Sequence, residues 1–78
     1  MALIKNFEKR EPVRESVHGT VDCDYYTFQK DDQQYIQFST YGSRDRQIKN
    51  KQSQVFQLDK QSAQELIDIL QTTFKLAD

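Results

Sequence analysis

Cys23 is the only cysteine in the chain, and its isolation removes the commonest staple of a domain this short. A chain of 78 residues hides roughly 63% of its unfolded surface on folding. A single core of that size rarely yields more than about 3–5 kcal/mol. One cysteine closes no disulfide, and Cys23 with His18, the only histidine, is too small a donor set for a closed structural zinc site. The remaining staple is a second chain, so oligomerisation is expected. Composition points the same way: 36% hydrophobic residues against 29% charged ones is a core-poor ratio. No apolar run is long enough to span a membrane, so no membrane partner is expected.

The opening MALIKNFEKREP lacks the apolar stretch of a secretory signal, because Lys5 and Asn6 follow directly on Ala2, Leu3 and Ile4. A cytoplasmic location is expected. Residues 1–12 mix charges without a period and read as an N-terminal tail or edge segment. Residues 13–78 read as a single ββββα domain. From Val13 the apolar residues Val13, Val17, Val21, Cys23 and Tyr25 share odd parity, the period of a strand, with Gly19 marking a bend or bulge. Tyr26 and Phe28 then carry the apolar set to even positions, as a bulge or register change near Asp24 would require. Lys30-Asp31-Asp32-Gln33 is a turn composition, and Gln34 to Tyr41 resumes a strand with Ile36 and Phe38 on one face and Tyr35 and Tyr41 on the other. A polar loop follows from Gly42 to Lys51, then a short strand from Ser53 to Leu58 with Phe56 and Leu58 inward. Asp59 is placed to cap a helix from about Lys60 to Phe74, with Lys75 at its negative end. On a helical wheel Ala63, Leu66, Ile67, Leu70 and Phe74 make one stripe, which Ile69 and Thr73 widen. The fold class is therefore α+β, an antiparallel sheet of three to four strands followed by one C-terminal amphipathic helix. The stripe is wider than a thin sheet covers, which makes Leu66, Ile69, Leu70 and Thr73 the candidate dimer interface.

Chemistry-bearing patterns are few. His18 and Cys23, five residues apart in a strand, would point to opposite faces and cannot act as base and nucleophile. Neither Asp22 with Asp24 nor Asp31 with Asp32 has the spacing of a calcium loop, and Gly19 and Gly42 alone make no phosphate cradle. No enzyme, metal or cofactor is expected. The net charge of −1 argues against a globally basic nucleic-acid binder, but the loop GSRDRQIKNK sets Arg44, Arg46, Lys49 and Lys51 against Asp45 alone.

The basic loop, the strand QVFQLD and the helix SAQELIDILQTTF give the chain a strand, cap and helix order that resembles the positive-cofactor family of transcriptional coactivators and its bacterial single-stranded-DNA-binding relatives. The resemblance spans roughly Val13 to Phe74. It implies a homodimer packed through its helices, a role in transcription regulation, and sheets and loops that grip single-stranded nucleic acid. On that reading Arg44, Arg46, Lys49 and Lys51 are the candidate phosphate clamps, and Tyr26, Tyr35 and Tyr41 the candidate stacking platforms. The competing expectation is a protein-interaction or regulatory module with no nucleic-acid ligand, in which the tyrosines and the helix stripe meet protein and the basic loop only solubilises.

Overall fold

The computed structural model describes residues 1–41 and 54–77. The elements are β1 (Ala2–Ile4), β2 (Cys23–Lys30), β3 (Gln33–Thr40), β4 (Gln54–Leu58) and α1 (Lys60–Phe74). β2 and β3 form a hairpin closed by Asp31 and Asp32, whose φ values of 52° and 65° are both left-handed. A two-residue loop with positive φ at both positions matches the right-handed twist of its strands, and aspartate tolerates that conformation better than larger side chains do. β4 lies antiparallel on the far side of β3, with Phe56 opposite Phe38 and Leu58 opposite Ile36. β1 joins β4 in parallel, Ile4 opposite Leu58. The order β1-β4-β3-β2 is thus a mixed sheet, and with the C-terminal helix the architecture is α+β as expected. A parallel neighbour needs a long connection, and the chain between Ile4 and Gln54 supplies it.

Strand alternation sorts the side chains into two faces. One carries Tyr25, Ile36, Phe38, Phe56 and Leu58; the other carries Tyr26, Phe28, Tyr35, Gln37, Ser39, Val55 and Gln57. Rings line both. Tyr25, Phe38 and Phe56 run across three strands on the first face, with centroid separations of 6.1 and 5.1 Å.

The helix begins where the sequence predicts it to, through a reciprocal cap. The Asp59 carboxylate accepts from the Ser62 amide at 2.9 Å, and the Ser62 hydroxyl oxygen accepts from the Asp59 amide at 3.0 Å. Ser62 is wholly buried as a result. Lys5 pairs with the same carboxylate, and the Phe7 amide donates to Glu65 at 3.3 Å, so the N-terminal segment runs from β1 onto the helix. The helix ends at Lys75, which caps it in a left-handed conformation with φ 55°.

Two expectations fail upstream of the hairpin. Val13 to Val21 is not a strand: every residue from Glu8 to Asp22 is exposed, and Gly19 lies there with a Cβ position open on all sides. Odd parity is necessary for a strand but not sufficient, because the backbone of this segment has no neighbouring strand to bond and its valines no face to cover. Nor is there a bulge near Asp24. The β2–β3 register runs unbroken from Cys23 opposite Thr40 to Lys30 opposite Gln33. The apolar set changes parity because both faces carry aromatic rings, which a one-sided reading of the alternation misses.

Leu58, 3% exposed, is the one buried hydrophobic residue among those described. The chain exposes 7519 Å², where a compact protein of this mass exposes about 5,000 Å². Its radius of gyration is 14.8 Å, against about 11.5 Å for compact packing. Such a chain leaves much of its apolar surface in water.

Candidate nucleic-acid interface

The candidate site is built by the β2–β3 register. Phe28 faces Tyr35 across the hairpin and Tyr26 precedes Phe28 by two residues, so all three share a face. Phe28 and Tyr35 stack with centroids 5.3 Å apart and planes inclined by 21°, and Tyr26 tilts against Phe28 at 6.0 Å. Tyr26 is 52% exposed. Tyr35 is half-buried, and its hydroxyl donates to the side chain of Gln33 at 3.2 Å. Beside the rings the same face carries amides: the Gln57 amide nitrogen donates to Gln37 at 2.9 Å. A depression of about 230 Å³, lined by Leu3, Gln37, Val55 and Gln57 among others, opens there. Rings and amides together offer a π surface with hydrogen-bonding groups alongside, which is the chemistry an unpaired base presents in return. Asp24 and Lys30 sit at the two ends of β2 on this face.

Of the tyrosines expected to form the platform, Tyr26 and Tyr35 are brought together. Tyr41 follows β3, half-buried, with its amide donating to the Asp22 carbonyl at 3.4 Å. Arg44, Arg46, Lys49 and Lys51 lie outside the described residues. Phe28, the ring between the two tyrosines, is the member that the sequence reading omitted, although its even parity with Tyr26 was the signal that would have found it. Tyr25 belongs to the opposite face and is 68% exposed.

Along the helix Leu66 is half-buried, while Ile69, Leu70 and Thr73 are exposed, as are Ile67 and Phe74. Its principal contact with the sheet is β4. Ile69 and Thr73 border a cavity of about 510 Å³ that Phe7, Glu8 and Lys9 close from the N-terminal side. Among the described residues no group of three or more His, Cys, Asp or Glu side chains could hold a metal ion, and no helix is long and apolar enough to cross a membrane. Comparison of the chain with protein-family models, with curated proteins and with solved structures finds no match.

Proposed function

We propose that the protein is a non-enzymatic, homodimeric module that binds single-stranded nucleic acid, DNA or RNA, with little sequence preference. The observation that carries this reading is the row of Tyr26, Phe28 and Tyr35 on one face of the sheet, with Tyr26 exposed and the Gln37 and Gln57 amides alongside. Stacking on such rings is tolerant of sequence, because every base has a π face, and is worth about 1–3 kcal/mol per base. Arg44, Arg46, Lys49 and Lys51 would supply the phosphate contacts, and a second copy would cover the exposed helix residues Ile67, Ile69, Leu70 and Phe74. Such a module would act in the cytoplasm, and the resemblance to transcriptional coactivators makes transcription regulation its natural setting.

The test is the affinity of a labelled oligonucleotide across salt. Each phosphate neutralised on a single strand contributes about −0.7 to the log–log slope, so Arg44→Ala with Arg46→Ala flattens the slope by up to about 1.4. Tyr26→Ala lowers affinity by about 1–3 kcal/mol and leaves the slope unchanged. No binding by the unaltered protein at low salt overturns the reading. The exposed helix residues and Tyr25 would then favour the alternative, a protein-interaction module with no nucleic-acid ligand.

A further inference from the structure

We infer that the outer edge of β2 is a self-pairing surface, on which a second copy of this chain adds its own β2 antiparallel to the first. β2 is the last strand of the sheet and one of its two longest, at eight residues. It has no proline, no bulge and no covering segment among the described residues, and its only charges, Asp24 and Lys30, are of opposite sign and lie towards its two ends. Its unpaired backbone groups are therefore a template for another strand.

The side chains select both the occupant and the register. An antiparallel contact with two-fold symmetry keeps like faces together, so it must centre on a residue. Centring on Thr27 sets Asp24 opposite Lys30 and Tyr26 opposite Phe28, twice each by symmetry. Asp24 and Lys30 take part in no ion pair among the described residues, which leaves both charges available across the contact. Centring on Tyr26 instead opposes Asp24 to Phe28, and centring on Phe28 opposes Asp24 to Asp32. The Thr27 register alone matches opposite charges and rings at once.

The pairing extends the candidate interface. Phe28 already faces Tyr35 on one side; across the new contact it faces Tyr26 of the second copy. Each chain's three rings then join into one row of six on a single face. That consequence rests on the nucleic-acid reading; the strand pairing itself does not, and it is tested without nucleic acid.

Cross-linking decides it. In a Cys23→Ser background, Thr27→Cys places two thiols directly opposite each other, with Cβ atoms about 4.5–5.5 Å apart, near disulfide reach. Mild oxidation should then yield a covalent species of twice the 9.3 kDa chain. Tyr25→Cys alone should not, because its mate lies four residues along the partner strand, roughly 13 Å away. A mixture of Tyr25→Cys and Gln29→Cys proteins should cross-link to each other. Asp24→Lys should slow the Thr27→Cys cross-link severalfold, and adding Lys30→Asp should restore it. Circular dichroism shows whether each variant is folded. A Tyr25→Cys cross-link as fast as that of Thr27→Cys, or no cross-link from a folded Thr27→Cys protein, overturns the pairing. Because the helix contact of the proposed function is a different surface, the Thr27→Cys cross-link should survive a folded Leu70→Asp variant, and its loss there overturns an edge contact independent of the helix.

Discussion

At the scale of single residues, the side chains of Lys5, Asp59 and Ser62 tie the N-terminal end of the helix to the N-terminal segment. Asp59 is held well below the usual carboxylate range, to about 2, first by its hydrogen bond from Lys5 and then by the Ser62 amide. Lys5 is raised in turn above its ordinary 10.5, chiefly by the same hydrogen bond. A carboxylate with a lowered folded-state value stabilises the fold in its ionised form. That stabilisation is complete above its ordinary 3.8 and is lost as pH falls through about 2. The Lys5 contribution has the opposite sense, present below 10.5 and lost as pH rises past its raised value. Asp59→Asn should therefore flatten the fall of melting temperature between pH 5 and pH 2; an unchanged acid limb would show that the pair contributes nothing. The Asp31-Asp32 turn predicts a gain. Asn and Gly adopt left-handed φ at less cost than Asp, so Asp31→Asn with Asp32→Gly should stabilise the hairpin by about 1 kcal/mol in urea melts. Destabilisation would mean that the carboxylates make a contact of their own.

At the scale of elements, burial rather than hydrophobicity ranks the strands. Leu58 packs where β4 meets the helix, and Leu58→Ala should cost about 2–5 kcal/mol. Val17, fully exposed in a segment that alternates like a strand, should change stability by no more than about 0.5 kcal/mol when replaced by alanine. Paired chemical denaturation of the two variants tests the assignment, since equal costs would place the segment before Cys23 in a sheet after all. The helix was legible in nearly every respect. Its N-cap, both boundaries and its apolar stripe follow from local signals, because a helix closes its hydrogen bonds within one segment. The strands were legible only where a turn lay close by. Asp31-Asp32 announces the hairpin, whereas nothing near Ala2–Ile4 says that those residues pair with β4, more than fifty positions later.

At the scale of the whole molecule the deficit is surface. With 7519 Å² exposed and a single buried hydrophobic among the described residues, the isolated chain is half again as exposed as compact packing allows. Light scattering at micromolar protein should give a mass of at least twice 9.3 kDa. A concentration-independent monomer mass would refute assembly through either the helix or the sheet edge. The thinness of the core could be read from composition and the lone Cys23, because too few apolar residues and no covalent staple limit any single-chain core. Of the candidate interface, Tyr26 and Tyr35 were identifiable as aromatic strand residues, but their meeting around Phe28 was not. What the amino-acid order determined by itself was local: the hairpin turn, the capped helix, its apolar stripe and the α+β class. Each rests on interactions between residues a few positions apart. What only the tertiary structure decided was which strands are neighbours, in which register, and that both faces of the sheet carry rings. Those facts depend on backbone pairing between distant segments, where a shift of one residue turns every side chain to the other face and leaves the sequence unchanged.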